Sequence, residues 1–337
     1  MAQLADGMGP SPARVRARPG KGARRMMQRP DVSIIVVSTN NHGDLLANLP
    51  AVADGSDELI VVDNGSSDGS PDLVRELAPR ARVVELDKNV GFGAANNEGM
   101  IVASGRYFLL VNPDARPLGD AIEQLVAFAD AHPEVGVAGP KLLNADGSLQ
   151  RSIRGYPTAL WCGTPPRRAP RLSMFFFARR WITGRAGRRG EQQENRRRLL
   201  RNEWLKGAVL LLRREAVDKV GGFDSEFFIY NEELDLCYRM SEAGWTIELV
   251  PDATFVHVGG TTTARMAPRA YRELLRGHLR MLAKHRGPTH AEHARRYLAL
   301  VLRFRALVSR GEMRRLYGDG ARWLSSGDVR ALLRGEG

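Results

Sequence analysis

Residues 32–37 form a β-branched run in which Ser33 is the only polar position, bounded by Pro30 and by Asn40-Asn41. A short apolar run without alternation predicts a strand buried on both faces, as in a parallel sheet. Further strands are expected at 59–62, 82–86, 107–111 and 135–138. Between them, helical spacing predicts helices over 45–52, 71–77, 94–104 and 118–131, with Ser70 as N-cap and Pro71 in the first turn of the second. Strand and helix alternate through short connections, which predicts an α/β fold with a doubly wound sheet. A second apolar run at 209–212 leads into a helix ending at Val220, the turn Gly221-Gly222-Phe223-Asp224, and a helix face of Leu236, Cys237, Met240 and Ala243. No stretch approaches the roughly 18 apolar residues of a spanning helix, and no secretory leader is expected at the N-terminus.

The polar residues gather where the strands stop. Thr39-Asn40, Asp63-Asn64, Asn89–Gly93 and Asn112–Asp114 each follow a predicted strand. In an open parallel sheet those ends share one rim, where ligands bind. Asp63 can accept hydrogen bonds from a nucleobase or a ribose, or form a turn before Gly65. Asp114, projected by Asn112-Pro113, suits a hard cation, with entry into the next helix as the alternative role. Asn89 and Asn96 flank Gly91-Phe92-Gly93, a turn that lacks the full dinucleotide fingerprint but opens a helix whose first amides favour a phosphate.

Charge divides the chain into a body and appendages. The 337 residues carry a net +12, of which residues 1–30 hold +6, residues 163–202 hold +10 and residues 265–337 hold +11, leaving −15 on the rest. An acidic body that binds an anionic diphosphate needs a cation beside it. A nucleic-acid-binding protein, the reading that the basic pI of about 10.3 would otherwise favour, more often spreads basic charge over its folded body. The cysteines, Cys162 and Cys237, offer neither a disulfide framework nor a thiolate zinc site and fit a reducing compartment.

A second cluster follows residue 203. Trp204-Leu205-Lys206-Gly207-Ala208 precedes the 209–212 run, and Phe227-Phe228 precedes Glu232, Glu233 and Asp235. Three carboxylates within four residues repel one another unless solvated, paired or beside a cation. Their place at a helix start is favourable in itself, and it also suits a general base for an acceptor hydroxyl. His257, after the apolar segment 253–256, is either structural or a nitrogen ligand completing a mixed N/O metal site with Asp114.

In order along the chain, Val32–Val37, Val61–Gly69 (VVDNGSSDG), Asn89–Asn96 (NVGFGAAN), Asn112-Pro113-Asp114, Gly221–Asp224, Phe227-Phe228, Glu232–Leu236 and His257 resemble the inverting family 2 glycosyltransferases of GT-A fold. The resemblance covers about residues 31–265, and within the family it is strongest to rhamnosyltransferases of bacterial cell-wall and O-antigen assembly. It implies a nucleotide-binding half at 31–140, an Arg-rich insert at 163–202 and an acceptor and catalytic half at 203–264. A disordered basic tail would precede residue 31 and a basic helical region would occupy 265–337. Donor binding would fall to Ser38, Thr39, Asn40, Asp63, Asn64, Asn89, Gly91, Phe92, Gly93, Asn96 and Asn112. Mg²⁺ or Mn²⁺ would sit on Asp114 and His257, with Asn112 replacing the first carboxylate of the family's Asp-x-Asp motif. Glu233 would be the base, with Glu232 beside it and Asp235 in reserve, and Trp204, Lys206 and Gly207 would line the acceptor side.

The implied donor is a dTDP- or UDP-sugar and the implied acceptor a glycan or lipid-linked saccharide. Nothing in the sequence reads the sugar, so galactose or glucose stands beside rhamnose, and a catalytically inert relative stands behind both. The basic helices at 265–337 and the aromatic cluster Met174–Phe177 suit an anionic membrane surface on the cytoplasmic side, or burial against the domain.

Overall fold

A computed structural model describes residues 31–54, 56–155, 198–199, 203–259, 267–327, 329 and 331. The basic tail, nearly all of the Arg-rich insert, Met174–Phe177 and Cys162 lie outside the described residues.

The parallel core forms where the apolar runs predict it. Strands β1 (Val32–Ser38), β2 (Glu58–Asn64), β3 (Arg82–Leu86) and β4 (Tyr107–Val111) alternate with helices α1 (His42–Asp54), α2 (Ser70–Leu77) and α3 (Phe92–Val102). Every residue of β1 is buried, as a strand covered on both faces requires. After β5 (Ala115–Pro117) come α4 (Ala121–Ala131), β6 (Val135–Leu143), β7 (Leu149–Gln150) and β8 (Ile153–Gly155). The second half adds β9 (Glu203–Leu205), β10 (Val209–Arg213), α5 (Arg214–Val220), α6 (Glu232–Glu242) and β11 (Thr246–His257). Among the described residues, nine strands make one sheet in the order β3-β2-β1-β4-β10-β6-β11-β5, with β7 on β6, while β8 and β9 pair separately. β10 runs antiparallel to both β4 and β6, an insertion that the alternating pattern did not foretell.

Side chains leave the strands alternately to the two faces. Ile34, Val36, Leu109 and Leu211 join α1, α2 and α4 in one core, and Ile35, Val37, Leu110 and Leu212 join α3, α5 and α6 in the other. The expected α/β architecture with helices on both faces is therefore what forms. One local expectation shifts: Ser70 is the first residue of α2 rather than its cap, and Gly69 takes the cap position in the left-handed conformation.

The C-terminal region is helical, as expected: α7 (Ala267–Arg286), α8 (Pro288–Val308) and α9 (Gly311–Ser325) share a third core of Leu275, Leu279, Leu302 and Leu324. No helix among the described residues is long and apolar enough to cross a membrane. The bundle is fastened to α6 through Asp235, which is fully buried. Its Oδ1 accepts from His285 Nε2 at 2.7 Å and meets Lys284 Nζ at 3.0 Å, while Oδ2 accepts from Arg239 Nε at 2.7 Å. Lys284 also reaches Asp224 at 2.6 Å. Beside this cluster, Gly277 of α7 packs where any Cβ would strike the Asn231 side chain, and Asn231 Nδ2 donates to Leu274 O at 3.4 Å.

Burial alone would raise the Asp235 pKa, but the His285 hydrogen bond and the Arg239 and Lys284 partners outweigh it and bring it from 3.8 to about 2. A carboxyl depressed in the folded state stabilises it at neutral pH and loses that contribution as pH falls from 3.8 towards about 2. Asp235→Asn should therefore lower the unfolding free energy near neutrality by about 2 kcal/mol, and the gap to the wild type should narrow in denaturation series below about pH 4. A gap that stays constant on acidification would locate the stabilisation elsewhere.

Candidate active site

Parallel pairing of β1 with β2 sets Ser38 beside Asp63 at the strand ends. Both side chains are buried, and Ser38 Oγ and Asp63 Oδ1 have no hydrogen-bond partner. Two orphan polar atoms side by side on the sheet's rim are groups that a ligand can satisfy. Asp63 Oδ2 accepts from Ser66 N–H at 3.0 Å, so the turn role and an open oxygen coexist on one carboxylate. Thr39 and Asn40 sit just beyond β1. Asn40, at φ 53°, accepts from Ser67 N–H at 2.8 Å and so ties the two strand-end loops together.

The neighbouring loop is held by side chains the sequence placed in the donor site. Asn64 Nδ2 donates to Asn89 Oδ1 at 3.0 Å, and Asn64 Oδ1 accepts from Val90 N–H at 2.9 Å. Asn89 Oδ1 also accepts from Gly91 N–H at 3.0 Å. Asn96 is buried and donates to Phe92 O in its own helix at 2.9 Å. Phe92 packs edge-on against Phe223 at 6.5 Å between ring centres. The glycines here allow close packing: a Cβ on Gly91 would strike Phe228 O, and one on Gly93 would lie 3.0 Å from Phe223 Cβ. Phe92 N–H donates to Phe228 O at 3.0 Å, so the 223–232 segment is laid directly over the start of α3.

On the other side of β1, the end of β4 presents Asp114. Its Oδ2 accepts from Gly259 N–H at 3.0 Å, and its Oδ1 lies 3.3 Å from His257 Nε2. Burial opposes ionisation of Asp114, but His257 beside it and the Gly259 amide overcome that and hold the carboxyl below its ordinary value. Gln150 orients the imidazole. Gln150 Nε2 donates to Asn144 Oδ1 at 2.7 Å and to His257 O at 3.0 Å, so its Oε1 faces His257 Nδ1 at 2.6 Å. With Nδ1 engaged by Gln150, Nε2 is the ring nitrogen that faces the Asp114 oxygen. At 3.3 Å the Nε2–Oδ1 pair can share a proton, and the same spacing is near the about 3 Å edge of an octahedron with bonds of about 2.1 Å. The pair therefore fits a hard divalent ion as a mixed O/N donor set. No third His, Cys, Asp or Glu completes a cluster among the described residues. Asn112 contributes through its backbone, donating to Ala208 O at 2.9 Å and accepting from Ala115 N–H at 3.0 Å.

The segment after β9 joins this centre to the acidic helix. Lys206 Nζ donates to Gln150 Oε1 at 3.0 Å and lies 3.3 Å from His257 Nδ1. One residue on, Gly207 N–H donates to Glu233 Oε1 at 3.4 Å. The next residue, Ala208, holds the end of β4. Three consecutive residues thus touch the Asp114–His257 pair, Glu233 and Asn112, which brings together side chains nearly 150 positions apart. Burial, then Arg154, lowers the Lys206 pKa against the pull of Asp114 and Glu233.

Glu232 and Glu233 begin α6, with Asn231 before them at φ 72°. Both carboxylates are buried and each leaves Oε2 unpartnered. Burial raises the Glu233 pKa, moderated by backbone amides and Lys206, while burial and the adjacent Glu233 push Glu232 well above its ordinary value. The two diverge in direction: Glu232 packs towards Gly93 and Glu233 towards Gly207. Asp235 is corrected as a reserve base, because its oxygens are committed to His285, Lys284 and Arg239 and the residue is closed to solvent. Trp204 is half-buried against Phe227 and Leu234, with its indole N–H unpartnered. Sequence reading missed Gln150, which sits on a two-residue strand with no periodicity, and Lys284 and His285, whose helix looked merely basic.

A model described as Glycosyl transferase family 2 matches residues 33–230. The N-acetylglucosaminyl-diphospho-decaprenol L-rhamnosyltransferase of Mycobacterium tuberculosis is 30% identical over 250 residues, covering 70% of this chain and 78% of that protein. The rhamnosyltransferase WbbL of Escherichia coli K12 is 33% identical over 84 residues, 25% of this chain and 32% of its own. Among solved structures, the mannosyltransferase PcManGT from Pyrobaculum calidifontis, in complex with GDP-Man and Mn²⁺, aligns at a TM-score of 0.49 and 18% identity over 92% of this chain and 84% of that one. With more than half of its length matched by the family model, the chain belongs to glycosyltransferase family 2 and is a glycosyltransferase.

Proposed function

We propose that this glycosyltransferase moves L-rhamnose from dTDP-rhamnose, with inversion, onto a hydroxyl of a saccharide carried on a polyprenyl diphosphate. The observation that carries the catalytic reading is the Lys206–Ala208 segment, which holds the Asp114–His257 pair and Glu233 against consecutive residues. The M. tuberculosis relative, named for rhamnose transfer to a lipid-linked N-acetylglucosamine, supports the donor sugar and the acceptor class. A nucleotide-sugar donor also favours the cytoplasmic side of a membrane.

Ser38 and Asp63 would take the nucleoside, satisfying their orphan atoms. A divalent ion on Asp114 and His257 would supply charge neutralisation for the departing diphosphate. Glu233, at its open Oε2, would take the acceptor hydroxyl's proton as that oxygen forms its bond to the anomeric carbon. The bond from that carbon to the diphosphate breaks on the opposite face, and the nucleotide leaves with the electron pair. Burial suits Glu233 to this role, because a raised pKa makes a carboxylate a stronger base. Lys206 counters the charge of Glu233 and keeps the Gln150–His257 contact in place.

A panel of dTDP- and UDP-sugars, with a polyprenyl-diphosphate N-acetylglucosamine acceptor, should give turnover with dTDP-rhamnose; turnover with UDP-galactose or UDP-glucose alone would replace the donor assignment. Glu233→Gln should cut kcat by about 10²- to 10⁴-fold while leaving donor binding by calorimetry unchanged. A near wild-type rate would remove Glu233 as the base. Because the base works deprotonated and its pKa is raised, kcat/KM should fall on acidification with an apparent pKa above 4.5, a value belonging to the Glu232–Glu233 pair. Gln150→Leu, which frees the imidazole, should weaken Mn²⁺ binding by about 10- to 100-fold in titrations of the nucleotide complex. Unchanged Mn²⁺ affinity would remove His257 from the ion.

A further inference from the structure

Helix α8 has two faces of opposite use. Ala291, Ala294, Ala299 and Leu302 point into the bundle core shared with α7 and α9. The opposite face carries Tyr297, Leu300, Phe304, Leu307 and Val308, spaced by three and four residues, so that they form one stripe. Leu300, Phe304, Leu307 and Val308 are 65%, 59%, 76% and 64% exposed, and Met313 of α9 is 46% exposed. Isolated apolar surface residues need no explanation, but a contiguous stripe rimmed by one sign of charge does.

The rim is basic. Between residues 296 and 315 the chain has six arginines and a single acid, Glu312. Arg296, Arg303, Arg310, Arg314 and Arg315 are exposed, and among the described residues no acidic side chain pairs with Arg310, Arg314 or Arg315. A groove of about 450 Å³ between α8 and α9 places Arg303 and Arg322 beside Leu307. A second, of about 650 Å³, is lined by Arg314, Arg315 and Arg322 together with Asp319, which pairs with Arg322.

We propose that the exposed face of α8, with the start of α9, docks on an anionic lipid bilayer, the apolar stripe entering the interface and the arginines meeting lipid phosphates. Charge complementarity selects this occupant. A second copy seated on the same face by two-fold symmetry would set these arginines against themselves. The chain's own basic segments, 1–30 at +6 and 163–202 at +10, carry the same sign and are repelled likewise. An anionic bilayer satisfies both halves of the surface at once, as for interfacial amphipathic helices with basic rims. Because α7 ties the bundle to Asp235 on the catalytic helix, docking here would fix the active site relative to the membrane on which a lipid-linked acceptor travels. The docking itself depends neither on the donor nor on the acceptor assignment.

The test is co-sedimentation of the full-length chain with phosphatidylcholine vesicles, with and without phosphatidylglycerol, in the absence of any sugar substrate. The wild type should bind the mixed vesicles and release them as salt rises. Phe304→Ser with Leu307→Ser should weaken that binding by about tenfold or more, with thermal stability unchanged because both side chains are solvent-exposed. Arg310→Gln with Arg314→Gln and Arg315→Gln should abolish the preference for phosphatidylglycerol. Wild-type vesicle binding by the Phe304/Leu307 variant would overturn the proposal. So would a wild-type dimer that this variant converts to monomer with lipid binding unaltered, which would assign the stripe to a second copy. Transfer to the lipid-linked acceptor is scored separately, so failure of the sugar assignment leaves the vesicle result intact.

Discussion

The active site depends on keeping carboxylates out of water without leaving them without compensation. Asp63, Asp114, Glu232, Glu233 and Asp235 are all buried, and each would be costly to ionise in isolation. The fold meets the cost differently in each case. Asp235 is surrounded by cations and held low, Asp114 is held by an imidazole and an amide, and the glutamate pair is left with raised pKa values and one open oxygen apiece. Perturbed and incompletely satisfied groups collect at functional sites, and two residues apart on one helix Asp235 has both oxygens partnered while Glu233 keeps one unpartnered.

The parallel half of the fold was legible because its signals are local. The runs at 32–37 and 107–111 are apolar on both faces apart from Ser33, and the strand-end clusters then fall on one rim by topology alone. The antiparallel entry of β10 was not legible: Val209–Arg213 reads as a buried strand, but nothing local says which neighbours it takes or in which direction. The same limit applies to the site. Asp63, Asp114, Glu233 and His257 carry recognisable chemistry in recognisable places. Gln150 orients His257 from 107 residues away and looks like any polar loop residue. The glycines of the 91–93 turn suggested a phosphate cradle, and the structure shows close approach from another side, by the Phe228 backbone at Gly91 and the Phe223 side chain at Gly93. A glycine required for close approach looks the same in sequence whether a ligand or another strand of chain approaches.

The C-terminal helices change meaning once seen in place. Their sequence reads as a basic appendage, yet Gly277, Lys284 and His285 pack on Asn231 and Asp235 at the start of α6. Tyr230 and Asn231 hold left-handed backbone conformations there, φ 66° and 72°, which non-glycine residues adopt only where surrounding contacts enforce them. The extension thus packs against the first turn of the helix that carries Glu233, and its outward face is available for other work.

The central claim is that Asp114, His257 and Glu233 line one cleft. Anomalous diffraction from crystals soaked with Mn²⁺ and a nucleoside diphosphate tests it most directly. The account predicts a single manganese peak within bonding distance of Asp114 Oδ1 and His257 Nε2, the diphosphate on its open side, and the Glu233 carboxylate facing the same cavity. A peak elsewhere on the chain, or a nucleotide bound with Glu233 on the far side of the sheet from it, would contradict the account.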